Sequence, residues 1–268
     1  MIKSIYEWLS KNEKTTVFFL VLIFVAIRLP GIHLPLHQDE YKWPMIVNPA
    51  YHSETSIPHP PLSQFIYRTA GYIVGFNTNF RIVPLFFGTL NLILLYWLLK
   101  TLFGKREAII GSFIWIFSYF SVLSSLMVDT DGEILPFFFI LSLIFYQKFL
   151  KSYNREKYIW GTFLAVSLIL GFLVKVSFIL SIGAILADFL WIYRKSVTKK
   201  IALITISILI GGVLFLVGLL YVTTFIFPFF DLSASVKYWE HFAVSNRGWF
   251  QTLIQCVKAI LYASPFLV

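Results

Sequence analysis

Charge is scarce in this chain, and cysteine is scarcer. Only 13% of its 268 residues are Asp, Glu, Lys or Arg, whereas 58% are apolar. That shortage excludes a soluble globular domain, which could not hide so much apolar surface. Cys256 is the only cysteine, which excludes an intrachain disulfide and a cysteine-based metal site. The short alternation of polar and apolar residues that marks a transmembrane β-barrel is missing. The apolar runs are continuous instead, as over residues 17–27. No small-residue cleavage site follows Lys3, Lys11, Lys14 and the first apolar run, so the N-terminus reads as an uncleaved signal anchor. Internal repeats and soluble domains are also lacking. What these absences leave is an all-α polytopic membrane protein, with residues 1–268 forming one transmembrane domain.

Apolar runs near 15–35, 80–102, 108–127, 134–150, 159–176, 177–193, 201–228 and 252–268 predict about eight spans. Basic residues orient them. Lys3, Lys11 and Lys14 precede the first span. Lys100, Lys105 and Arg106 follow the second, Lys148, Lys151, Arg155 and Lys157 the fourth, and Arg194, Lys195, Lys199 and Lys200 the sixth. All four groups then face the cytoplasm, which explains the net charge of +9 without invoking nucleic acid. Asp39, Glu40, Glu54, Asp129, Asp131 and Glu133 fall together on the outer side, whether cell exterior, periplasm or lumen. The loop over 32–79 holds Pro44, Pro58, Pro60 and Pro61, which forbid one continuous helix. Residues 62–74 after them predict an amphipathic helix lying in the membrane interface. Residues 229–250 read as a second outer loop. The chain stops inside an apolar run, so its C-terminal part reads as short or truncated.

Four features carry candidate chemistry, each with a plain alternative. Asp39 and Glu40 are a solvated acid pair, or a general base that takes a proton from an acceptor hydroxyl at the membrane surface. Pro58-His59-Pro60-Pro61 is a turn that opens the interfacial helix, or a rigid bend that fixes the His59 imidazole. Asp129-Thr130-Asp131 is a helix cap, or a pair of carboxylates able to share a divalent cation. Lys175, on the outer side against the positive-inside bias, snorkels to the headgroups or binds phosphate. Arg28, Arg68 and Arg81 are outer-side cations that could assist it.

The order of these pieces resembles the GT-C membrane glycosyltransferases, in particular the dolichyl-phosphate-mannose protein mannosyltransferase and aminoarabinose transferase branch. One span is followed by His37-x-Asp39-Glu40 and His59-Pro-Pro-Leu62, then Phe80-Arg-Ile-Val-Pro-Leu-Phe-Phe-Gly88. Leu102-Phe-Gly-Lys-Arg106 is similar to the family's basic cytoplasmic turn. Val128-Asp-Thr-Asp-Gly132 with Leu135-Pro-Phe-Phe138 is similar to its second acidic motif, and Leu173-Val-Lys175 to its lysine segment. The resemblance covers about 15–180. It implies a helical bundle of GT-C type and an inverting transfer of sugar from a polyprenyl-phosphate donor to a protein, lipid or glycan acceptor. The site would face outward from a cell or endoplasmic-reticulum membrane. In that picture Asp39 is the base, Glu40 supports it or binds acceptor, Asp131 with Asp129 shapes the site, and His59 binds substrate. Lys175 and Arg81 neutralise the lipid phosphate, and Asp129 with Asp131 holds Mg or Mn if a metal is used. Family members are usually longer, with a soluble C-terminal domain, and the aminoarabinose branch commonly has Lys where His59 stands. The competing readings are a polyprenyl-phosphate flippase and an inactive fragment that serves as an assembly partner.

Overall fold

The computed structural model describes residues 12–37, 40–49, 59–76, 80–194, 199–227, 230–243, 251 and 254, with only the backbone of 199–209 and 238–243. No strand occurs among them, and the chain is a helical membrane bundle. Its helices are α1 (Glu13–Arg28), α2 (Lys42–Val47), α3 (Pro61–Val74), α4 (Ile82–Leu102), α5 (Lys105–Phe117), α6 (Tyr119–Ser124), α7 (Ile134–Lys151), α8 (Asn154–Val174), α9 (Ile179–Tyr193), α10 (Lys199–Ile226) and α11 (Leu232–Ala243). A 3-10 turn, Leu29–His33, extends α1, and another, Val176–Phe178, opens α9. Among the described residues five segments are long and apolar enough to cross a bilayer: Glu13–His33, Ile82–Leu102, Ile134–Lys151, Asn154–Val174 and Val176–Tyr193. The last expected span, 252–268, lies outside the described residues apart from Ile254.

The helices pack in antiparallel order, so the bundle has two ends. Glu13, at the start of α1, pairs with Lys100 and, at 3.9 Å, with Lys105, closing the basic turn between α4 and α5. The opposite end gathers α2, α3, the start of α4, residues 118–134 and the junction between α8 and α9. There Trp43, Val47, Tyr67, Phe80, Val128, Ile134 and Val174 form one buried cluster. The described helices of the loop between the first two spans, α2 and α3, are thus packed parts of the bundle. Its helix α3 is amphipathic in the inverted sense that a lipid setting favours. Ser63, Gln64, Tyr67 and Gly71 are buried, while Phe65, Tyr72 and Ile73 are exposed.

Two expectations from the sequence change. The run 108–127 is not one helix: it breaks at Ser118, which takes an extended conformation (φ −63°, ψ 130°) between α5 and α6. No proline or glycine stands there. Arg28 meets the break: its Nη1 and Nη2 both donate at 3.3 Å to the Ile116 carbonyl that the break leaves open. The second outer loop is in part a helix, α11. Asp231 caps it, its Oδ1 accepting the Ser233 N–H at 2.8 Å and the Ala234 N–H at 3.3 Å.

Candidate functional site

Every predicted site residue that the structure describes lies at the α2–α3 end. Asp39 lies outside the described residues, but its neighbour Glu40 is buried (4% exposed) and fully engaged. Its Oε1 accepts Arg81 Nη1 at 2.9 Å and the Val128 N–H at 2.7 Å. Its Oε2 accepts Arg81 Nη2 at 2.8 Å and the His37 N–H at 2.5 Å. Arg81 is equally committed. Besides Glu40 it donates through Nε to Leu34 O at 3.2 Å, through Nη2 to Pro35 O at 2.7 Å, and through Nη1 to Leu126 O. A guanidinium has five N–H donors, and all five are directed into the chain. The sequence reading gave Arg81 to a lipid phosphate. Here it has no donor left for one, and it ties the loop after α1 to the loop after α6.

Arg28 and Glu133 form a second buried knot beside the first. Arg28 donates to Ser125 Oγ at 2.5 Å, to Ser121 Oγ at 2.8 Å and to Phe24 O at 3.0 Å, and its guanidinium carbon lies 3.5 Å from the centre of the Phe24 ring. It therefore serves the fold and not a phosphate. Glu133 accepts Asn91 Nδ2 at 2.5 Å and Ser124 Oγ at 2.7 Å. The short helix α6 is held between the two by its serines and the adjoining Ser125. Gly132 is required at this point, because a Cβ there would stand 2.6 Å from the Ser124 carbonyl oxygen. An Asn or Arg inside an apolar run is the sequence signal that marks such knots, and reading Asn91 that way would have found this one.

The second acidic motif faces a different partner. Asp131, about half exposed, pairs with the nearly buried Lys175. Lys175 reaches it because α8 ends at Val174 and the lysine is extended (φ −157°, ψ 134°). Gly171 allows the turn that follows, since a Cβ there would meet the Phe178 ring at 2.5 Å. Asp129 Oδ1 accepts the Thr130 N–H at 2.7 Å, and the Asp129 carbonyl accepts the Tyr67 hydroxyl at 3.0 Å. Among the described residues no three His, Cys, Asp or Glu side chains are grouped to hold a metal. A cation shared by Asp129 and Asp131 would have to displace Lys175.

His59 is buried (7% exposed), and its ring is stacked on Trp43 at 5.8 Å. Trp43 in turn packs on Tyr67 at 4.5 Å. Burial, then the nearby Lys175 charge, pushes the His59 pKa down to about 4 against the pull of Asp129. The imidazole is therefore neutral at pH 7, and its Nδ1 has no hydrogen-bond partner. A histidine whose folded pKa lies below its unfolded value of about 6.5 takes up a proton on unfolding between those two values. Its contribution to stability is complete above pH 6.5 and is lost as the pH falls toward 4. Thermal unfolding in detergent at stepped pH should show this decline, and His59→Phe should flatten it. An identical slope in the variant would assign the decline to other groups.

Two of the clefts among the described residues open at this end. One, of about 660 Å3, is lined by Leu34, His37, Tyr119, Leu123 and Asp129 and floored by Glu40 and Arg81. The other, of about 410 Å3, is an apolar groove between α3 and α4, lined by Phe65, Ile66, Ile73, Ile82 and Phe86. Among known proteins, neither the curated sequences nor the solved structures yield a match to this chain. One family model does match, over residues 58–221, and its description is dolichyl-phosphate-mannose-protein mannosyltransferase. That stretch contains His59, Arg81, Asp129, Asp131 and Lys175, and it begins after Asp39 and Glu40.

Proposed function

Because the chain belongs to the dolichyl-phosphate-mannose-protein mannosyltransferase family, we propose that it moves mannose from a polyprenyl-phosphate donor onto an acceptor hydroxyl at the outer face of the membrane. The acceptor oxygen attacks C1 of the sugar and forms the new glycosidic bond. The bond from C1 to the phosphate oxygen breaks, and polyprenyl phosphate leaves with the electron pair. The hydroxyl proton passes to Asp39, and single displacement inverts C1. A polyprenyl phosphate is already a good leaving group, so one base, one cation and accurate positioning suffice.

The observation that carries this reading is the meeting of Lys175, Asp131 and neutral His59 at the end of the bundle that also holds the Glu40–Arg81 knot. The opposite end is closed by Glu13 with Lys100 and Lys105, which supports a cytoplasmic assignment for that end. Lys175 holds the donor phosphate by exchanging one oxyanion partner, Asp131, for another. Glu40 and Arg81 are positioning residues that set the loop carrying Asp39. The apolar groove between α3 and α4 suits the donor's hydrocarbon tail.

The test is mannose transfer by the full chain in liposomes from polyprenyl-phosphate-mannose. Lys175→Gln should raise KM for the donor about tenfold, roughly 1.4 kcal/mol, with a smaller change in kcat. An unchanged KM would remove Lys175 from the donor site. Absence of transfer by the unmutated chain across several hydroxyl acceptors would remove the reading itself.

A further inference from the structure

The end of the bundle away from Lys175 carries cations in two turns, and the structure treats the two differently. In the turn between α4 and α5, Glu13 pairs with Lys100 and Lys105, so only Arg106 is without a carboxylate partner among the described residues. Lys148, Lys151, Arg155 and Lys157 flank the turn between α7 and α8. None of these four meets a carboxylate among the described residues, Glu156 included. Two of them are fixed in place. Lys148 Nζ lies 4.0 Å from the centre of the Trp160 ring, and Lys157 Nζ 5.0 Å from that of Phe149. Each helix thus holds a lysine of the other over an aromatic face. A ring covers one side of an ammonium and leaves N–H donors on the other. The Phe149 ring also meets Phe189 at 6.5 Å, and Phe189 meets Tyr193 at 4.7 Å, so the end of α9 joins the same edge. The α9 acid, Asp188, lies more than a turn before that end and accepts the Tyr146 hydroxyl at 2.8 Å. Tyr153 and Tyr158, 79% and 80% exposed, stand among the cations, as aromatic residues at headgroup depth do. The positive-inside bias asks for cations at one end of a bundle. It does not ask that they be held over rings and left without counterions.

We infer that the α7–α8 turn docks the headgroup of an anionic phospholipid in the adjoining leaflet, held by Lys148 and Lys157 and strengthened by Lys151 and Arg155. Donors that are already positioned and unpaired suit a phosphate, whose oxygens accept from several at once. A zwitterionic head brings a cation of its own, and it would find Glu156 alone against four like charges. This docking is independent of sugar transfer, which belongs to the opposite end.

The experiment places the full chain in phosphatidylcholine nanodiscs containing a small share of phosphatidylglycerol with a photoreactive headgroup. Labelled peptides are mapped by mass spectrometry. Label should concentrate on 146–160 and fall about tenfold in Lys148→Gln/Lys157→Gln. It should persist in Lys148→Arg/Lys157→Arg, which keeps both charges. It should fall less than about twofold in Lys105→Gln/Arg106→Gln, which removes as much charge from the other turn. Trp160→Leu keeps every charge, and it should still weaken the label by freeing Lys148. That variant keeps the test decisive if the Gln pair fails to insert. Equal loss in the two Gln pairs would mean a diffuse field of charge and overturn the site. Equal focus from the same photoreactive group on phosphatidylcholine would overturn the preference for an anionic head. Displacement of the label by inorganic phosphate would put a soluble phosphate in place of the lipid and overturn the docking as stated.

Discussion

Replacing Asp39 by Asn should leave the chain folded and inserted while lowering mannose transfer by about 10²- to 10⁴-fold, the usual contribution of a positioned general base. The change keeps the side chain's shape and removes its capacity to accept a proton. Glu40, one residue on, cannot take over. Both its oxygens are held by Arg81 and by backbone N–H groups at 2.5–2.9 Å. A carboxylate whose lone pairs are taken by that many donors has none directed at an acceptor hydroxyl and serves as an anchor. The measurement is initial rate at saturating donor, with insertion checked by protease protection. Transfer equal to that of the unmutated chain would end the assignment of Asp39 as base.

The largest expected loss of stability comes from Arg81→Met. Breaking a buried ion pair from one side costs about 3–5 kcal/mol, because the remaining charge stays buried without a partner. Here that charge is Glu40, 4% exposed, and the Leu34, Pro35 and Leu126 carbonyls lose their donor as well. Glu40→Gln in the same chain should recover part of the loss, since an amide tolerates burial better than a carboxylate. A denaturant titration of both single variants and the double variant gives the coupling between the two sites. Additive losses would mean that the pair does not act as a unit. Transfer should fall in Arg81→Met even under conditions where the protein remains folded, because Glu40, next to Asp39, loses its ion pair with Arg81 and, through it, the tie to the Leu126 carbonyl.

How far the sequence foretold this arrangement can be judged residue by residue. Apolar runs of about 20 residues specify membrane helices whatever their neighbours, so α1, α4, α7, α8 and α9 were legible. The ordered motifs placed Glu40, His59, Arg81, Asp129, Asp131 and Lys175 at one end, where the structure has them. What a sequence does not display is the partner of a charge. Glu40 finds Arg81 41 residues away, and Arg28 finds Ser125 97 residues away. Arg28 and Arg81 therefore read as spare cations when both are internal fasteners. The break at Ser118 was illegible for the same reason, since the cation that meets its open carbonyl lies in α1. The helix α11 was legible in principle, from Asp231 before Ser233 and Ala234, but aromatic residues around it suggested a loop.

The debt that α5 owes to α1 also sets an order of construction. A peptide carbonyl left open within hydrocarbon is costly, and the Arg28 guanidinium removes that cost at Ile116. Arg28 precedes Ile116 in the chain, so the donor is synthesised before the carbonyl that it meets. The first helix thus supplies, as part of the bundle's wall, the hydrogen-bond donors that the interrupted third hydrophobic segment does not supply for itself.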